Sequence, residues 1–586
     1  MHLNLPKKIF YPLLLGSTFF IGVLLAHLSG NLFSEDKKFR NFTENVFQSE
    51  IQTNTLTLHY TLADPSSYGI HNYPVSLGTV SSESIKNNAA GIKELLEQLH
   101  TFHYNDLSLE NRLTYDVMEL SLNTELSSCD YPLLYEPLSP TLGIQAQLPV
   151  LLAEYTFRSK QDVEDYLSLL EQVPDYFEEI LSFQQEKSAS GYFMSDTTAD
   201  RIISQCKDFI ASPEENYLIS VFNDKISNCS FLSEKKTEKY QSENKKLVLE
   251  SLIPAYQTLS DGLSLLKGTG KNPYGLYHYD GGSEYYLYLI KSNTGIYDSI
   301  DTLVNRLYTQ LNSDYLQIQR LLTVNPQLPL SSQDEITSNK IPEDPEKILT
   351  HLQEQMIYDF PSLSDPEYTI KYVHKDLEEY LSPAFYFTPP IDTLSPNSIY
   401  LNNNSNMNGL SLYSTLAHEG FPGHMYQTLY YAQTDPDPVR YLFSSGGYVE
   451  GWATYIENYA YQYAPVDYST GQYLALNRSF YLCLYSLLDI CIHYYGWTDT
   501  QVGEYLGLLG ISDENSQKEI YQILIEDPAN YLKYCLGSLT IQDLKADMEN
   551  LLNKDFDVSL FHKAFLETGP APFPIIEKYI STFLQN

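Results

Sequence analysis

Apolar residues recur every three or four positions through Ser84–Leu99, Asn111–Leu126, Lys160–Glu186 and Asn244–Leu266. That spacing predicts helices, each burying one face against its neighbours. Pro174 lies inside the third stretch and predicts a kink there. Gly268–Pro273 and Asp280–Gly282 are turn-rich, and Ser283–Ile290 opens another helix. Phe33–Val80 shows no such period and reads as a polar, partly extended lead-in, while Pro326–Pro345 reads as a connector, a surface loop in preference to a separator of helical lobes. Ala384–Asn402 has a different character. Aromatic and β-branched residues broken by Pro389, Pro390 and Pro396 predict extended chain, with Ser398–Asn402 the strongest strand. The fold expected is mainly α, with a small β-sheet. Residues 31–270 would form a helical N-terminal region and 271–586 a second region, the two being compatible with one continuous domain.

Ahead of this body, Lys7 and Lys8 precede the apolar run Ile9–Leu28. Twenty helical residues span about 30 Å, the thickness of a bilayer core. Basic residues before the run predict an inside N-terminus and an exported remainder. Ala26–Gly30 makes a poor small-x-small cleavage site, so a single-pass anchor with an extracellular body is favoured over secretion after signal cleavage. No cysteine directly follows the run, which argues against lipid attachment there.

A net charge of −38 over 586 residues argues against nucleic-acid binding, which needs a cationic surface. Six cysteines are too few for a disulfide scaffold in a chain of this length. Cys206 and Cys229 are candidates to pair, whereas Cys483, Cys491 and Cys535 fall in apolar stretches and read as buried thiols. Most of the 51 tyrosines are expected to serve packing.

The chemistry concentrates in His418-Glu419-Gly420-Phe421-Pro422-Gly423-His424, at the end of the apolar run Leu410–Ala417. Glu450 follows His424 by 26 residues. Two histidines, a glutamate beside the first and a second glutamate downstream are the parts of a thermolysin-type zinc hydrolase. The histidines are six residues apart rather than four, so on an ideal helix they diverge by about 120°. Pro422 and Gly423 supply a bulge able to swing His424 back. In this reading His418, His424 and Glu450 hold Zn²⁺ and Glu419 is the general base. Glu457, seven residues after Glu450, shares its helical face and is placed to hydrogen-bond a ligand histidine.

The string H-E-x-x-P-G-H followed by E-G-W-A-x-Y-x-E resembles the bacterial family catalogued as domain of unknown function 885, which is placed among the thermolysin-like (gluzincin) zinc peptidases. The resemblance extends to Tyr400-Leu401-Asn402 before the helix, to Asp489, His493, Gly496 and Trp497, to Tyr534 and Gly537 with Ile541 and Leu544, and to Phe556, Asp557, Phe561, His562 and Gly569. It covers about Gly270–Ile580. Met425, Tyr485 and Cys491 depart from a second histidine, an arginine and a glycine often found in the family. The resemblance implies an edge strand at Tyr400 and Asn402 pairing with an extended peptide. It makes His493 and Tyr534 candidates to hold the substrate carbonyl as charge develops, with Asp489 orienting His493. An exported zinc metallopeptidase acting on peptides is the reading favoured. A catalytically inactive surface binding protein and a zinc hydrolase of a non-peptide amide or ester remain as alternatives. Exopeptidase or endopeptidase action and the oligomeric state are left open.

Overall fold

The computed structural model describes residues 34–584, except 332–336, 365, 376–377 and 379–380. The apolar run Ile9–Leu28 lies outside the described residues. The fold is mainly α. Its first part comprises α1 (Glu35–Ile51), α2 (Thr55–Thr61), α3 (Ser82–Leu99), α4 (Leu109–Ser128), α5 (Ile144–Glu154), α6 (Lys160–Ser190), α7 (Asp196–Ile210), α8 (Tyr217–Ser227), α9 (Glu234–Leu247) and α10 (Ile253–Leu266). α9 and α10 are joined by a π-turn at Val248–Leu252. The expected helices are present, with starts set by local chemistry. Ser81 and Ser159 close capping boxes on α3 and α6, and left-handed Gly191 terminates α6.

The lead-in expected to be extended is helical up to Thr61. Phe39, Val46, Phe47 and Ile51 fall on one face of α1 and are buried, a stripe that the intervening charged residues obscure. Residues 70–80 alone are extended and irregular.

After α11 (Gly282–Thr294), α12 (Ile300–Val324) and α13 (Pro345–Met356) comes a three-stranded sheet: β1 (Tyr368–Tyr372), β2 (Ala384–Phe387) and β3 (Asn397–Leu401). Its order is β1-β3-β2, with β1 parallel and β2 antiparallel to β3. Alternation along the strands divides two cores between the sheet's faces. Ala384, Tyr386, Ile399 and Leu401 join the main core, built largely from residues 286–580. Phe385 and Tyr400 join a core built from residues 56–263.

The remainder is helical again: α14 (Gly409–Glu419), α15 (His424–Ala432), α16 (Gly446–Ala460), α17 (Tyr468–His493), α18 (Asp499–Leu508), α19 (Glu514–Glu526), α20 (Leu532–Leu552), α21 (Val558–Thr568) and α22 (Phe573–Phe583). Among the described residues α17 is the one helix long and apolar enough to cross a membrane, yet it is largely buried inside the protein. All six cysteines are free thiols, so the expected Cys206–Cys229 pairing is not made. Cys206 is packed in the core, and the Cys229 thiol instead lies against the carbonyls of Lys225 and Phe157. Cys483, Cys491 and Cys535 are buried as expected.

Candidate metal centre

α14 carries the apolar run and ends at Glu419; Gly420 caps it, and α15 begins at His424. The two histidines therefore sit on two helices joined by a broken turn, not on one bulged helix as the sequence suggested. The turn contains a cis Phe421–Pro422 bond. Gly423 makes the return possible, because a Cβ there would lie 1.9 Å from the His418 carbonyl oxygen. Trp452 on α16 donates its indole N–H to the Pro422 carbonyl at 2.9 Å and ties the turn to the helix that bears Glu450. The imidazoles of His418 and His424 end 4.6 Å apart between ring centres and nearly perpendicular.

The donor atoms converge. Glu450 Oε2 lies 3.4 Å from His424 Nε2 and 3.6 Å from His418 Nε2. Two donors bound about 2.0–2.1 Å from one zinc ion at a tetrahedral angle are about 3.4 Å apart, so both separations match edges of that tetrahedron. Glu450 Oε2 is buried and faces the two imidazoles at distances long for a hydrogen bond, so the three atoms are placed to share a cation. Ligand atoms of His418, Glu419 and His424 also lie within 4.8 Å of one another, which marks the same spot. The charges agree with this. Burial alone would lower the His418 pKa, but contacts with Glu450 and Glu457 and the nearby Glu419 raise it to about 10, so the pocket favours a positive charge. Burial likewise opposes ionisation of Glu450, yet the two histidines hold it well below the usual carboxylate range.

Glu419 is buried at the flank of this cluster, its Oε1 3.9 Å from His418 Nε2. Its Oε2 accepts the Tyr386 backbone N–H at 2.8 Å, so β2 fixes the carboxylate and leaves Oε1 toward the histidines. Behind His418, Nδ1 meets Glu457 Oε1 at 2.6 Å. With the proton on Nδ1, the Nε2 lone pair is turned to the metal position. Arg478 of α17 donates to Glu457 Oε2 at 2.9 Å. Burial works against Glu457 ionisation, but Arg478 and His418 bring its pKa down to about 2. The sequence reading missed Arg478. The available signal was its isolation: Arg478 and Asp489 are the only Asp, Glu, Lys or Arg residues in α17.

The family described as "Bacterial protein of unknown function (DUF885)" matches residues 65–580. This chain belongs to that family. No curated protein matches it. Among solved structures, a "putative lipoprotein" from Colwellia psychrerythraea superposes with a TM-score of 0.82 at 18% identity, covering 95% of this chain and 100% of that one. A "putative lipoprotein of unknown function" from Shewanella oneidensis gives 0.64 at 16% identity, covering 92% and 99%. These likenesses establish a shared fold. A "putative oligoendopeptidase F" from Bacillus anthracis str. Ames reaches only 0.30 at 10% identity over 85% and 94% of the two chains, too loose a superposition to carry an argument.

Of the other residues singled out in this DUF885 chain, Tyr534 is near the cluster and four are engaged elsewhere. α16 and α20 cross in glycine contact, since a Cβ on Gly451 would lie 2.6 Å from Gly537 Cα. The close crossing brings Tyr534 to the Glu450 side. Its phenol makes no hydrogen bond to any described residue, and burial with the Glu450 and Glu419 charges raises its pKa well above the usual value, keeping it a donor. His493 is a core residue instead. Its Nδ1 accepts the Leu276 N–H at 3.0 Å and its Nε2 faces the Leu524 carbonyl at 3.0 Å, leaving no donor for a substrate. Asp489 does not orient it. That carboxylate bonds the Tyr286 hydroxyl and the Ala529 N–H, and Tyr286 stacks on the His493 ring.

Tyr400 and Asn402 are also structural. β3 is the central strand, so its backbone groups pair on both sides. Tyr400 donates to Glu154 Oε2 at 2.6 Å, and the Asn402 amide bonds the carbonyls of Glu378 and Leu381. The strand whose outer edge faces the candidate metal helix is β2. A cavity of about 480 Å³ reaches the cluster at Glu450, and its wall also includes Tyr135, Tyr279 and Tyr285. Its walls come from both the N-terminal helices and α16–α20.

Proposed function

We propose that this chain is an exported, zinc-dependent hydrolase of peptide bonds. His418 Nε2, His424 Nε2 and Glu450 Oε2 would hold the ion. Zinc bound there would polarise the scissile carbonyl and make a water acidic near neutral pH. Glu419 Oε1 takes the proton of the attacking water as the new C–O bond forms. It passes that proton to the nitrogen as the C–N bond breaks. The Tyr386 N–H holds the other carboxylate oxygen so that one face of Glu419 stays committed to this transfer. The Tyr534 hydroxyl donates to the carbonyl oxygen as it gains charge. Glu457 fixes the His418 tautomer.

The observation that carries the reading is the placement of Glu450 Oε2 3.4 and 3.6 Å from the Nε2 atoms of His424 and His418, with Glu419 beside them. Export is supported by the run Ile9–Leu28 as a membrane anchor and by the lipoprotein descriptions of the two fold relatives. In the test, zinc content and turnover of a quenched peptide library are measured for the full chain and for Glu419→Gln. The variant should keep its zinc and lose about 10²–10⁴-fold in rate. Undiminished turnover would remove Glu419 as the base.

A further inference from the structure

The cavity beside the cluster contains a cation that the hydrolytic chemistry above does not use. Lys533 is 2% exposed, lines the same cavity as Glu450, and makes neither a hydrogen bond nor an ion pair with any described residue. Its one recorded contact is with a ring: the ammonium lies 5.0 Å from the Tyr534 centroid. A buried ammonium without a partner is costly, and such groups are normally paired. Burial lowers its pKa below the ordinary lysine value, and the nearby Glu450 and Asp527 charges offset part of that. Glu450, however, is the carboxylate already engaged with the two histidines.

Most of the other charged groups in the cavity wall are paired, hydrogen-bonded or neutral. Lys187 is paired with Glu136 at 2.6 Å, and Glu526 with Arg201 at 3.1 Å. Glu125 accepts the Tyr288 hydroxyl. Asp527 accepts from Ser139, and burial pushes its pKa up to about 6. Burial pushes Glu50 up to about 8, so it is uncharged at neutral pH. Lys291 likewise has only a ring contact, 5.9 Å from the Tyr297 centroid, but it is only partly buried. What remains is one buried lysine, next in sequence to Tyr534, lining with Glu450 a cavity of about 480 Å³, a size suited to a small ligand.

We infer that Lys533 binds the free C-terminal carboxylate of a short peptide, so that the site cleaves near the C-terminus. The catalytic consequence rests on the hydrolase reading; the binding consequence does not. A peptide whose scissile carbonyl lies at the Glu450 cluster and whose carboxylate meets Lys533 has little chain beyond the cleaved bond. An acidic side chain offers the same chemistry, and the test separates the two sources.

Three blocked tripeptides are compared: a C-terminal acid, its amide, and an amide ending in aspartate. Binding is measured by calorimetry on the full-length Glu419→Gln chain, and turnover on the wild-type chain. The acid should bind about 10- to 100-fold more tightly than the amide, as a charge-assisted bond to a buried partner implies. It should also be cleaved with a correspondingly higher kcat/KM. Lys533→Met, made in each background, should erase both preferences, and Lys533→Arg should retain part of them. Equal binding of acid and amide, or a preference that survives Lys533→Met, overturns the inference even if peptides are hydrolysed. An aspartyl amide that matches the acid overturns the terminal assignment and moves the carboxylate to a side chain. Tight, Lys533-dependent binding of the acid with no turnover by the zinc-loaded wild-type chain sustains the carboxylate site and sinks the hydrolase reading instead.

Discussion

Replacing Glu457 by glutamine tests how the proposed metal site is built without removing any proposed ligand. Glu457 Oε1 receives His418 Nδ1 at 2.6 Å, a short contact of the charge-assisted kind. Glutamine keeps an acceptor of the same shape but loses the charge that makes the imidazole a stronger donor to the metal. Losing a charged hydrogen-bond partner costs about 1.5–3 kcal/mol. Partners of this type change metal affinity by about 10–100-fold, and the two figures describe the same effect. Arg478 loses its carboxylate too, but its side chain keeps 40% of its surface in water, so little destabilisation follows from that side. The variant should therefore fold like the wild type and bind zinc about 10–100-fold more weakly in competition with a chromophoric chelator. Affinity within twofold of wild type would refute the argument that Glu457 tunes His418.

Other expectations follow from the same geometry. Gly423→Ala would place a methyl group 1.9 Å from the His418 carbonyl oxygen, so the turn must move; denaturant unfolding should show a loss of at least about 2 kcal/mol, with weakened zinc binding. His493→Gln should leave kcat/KM within a few-fold of wild type, because both ring nitrogens serve the backbone; a large loss would restore His493 to the chemistry. Burial lowers the His493 pKa from its ordinary value to about 4. The unfolded chain thus takes up a proton that the folded chain refuses as pH falls from about 6.5 to 4, and folding stability drops by about 3 kcal/mol across that window. Urea titrations at pH 7 and pH 4.5 should show a smaller difference in His493→Gln than in wild type.

The residues that the fold gathers at the candidate metal cluster stood out by type in the sequence: two imidazoles and two carboxylates in one apolar setting. Their geometry was only partly legible. Pro422 and Gly423 announced a departure from a straight helix, but whether the chain bulges or breaks depends on what Trp452 and β2 hold from outside the motif. Asp489 and His493 illustrate a different limit. One helical turn between an acid and a histidine suits a catalytic pair and a core staple equally well. The deciding partners, Tyr286, Ala529, Leu276 and Leu524, are scattered through the chain. α1 was hidden by composition, since its charged residues outnumber the four apolar anchors that bury it. Arg478 and Lys533 were visible as isolated charges in apolar runs, and a buried charge in such a run is more informative than a charge in a polar one.

The most direct test of the central claim is the metal content of the purified full-length chain, beside His424→Ala and Asn402→Ala, after dialysis against trace zinc. The account predicts one zinc per chain in the wild type and in Asn402→Ala, and none in His424→Ala. No zinc in any of the three, or equal zinc in all three, would contradict a metal site built from His418, His424 and Glu450.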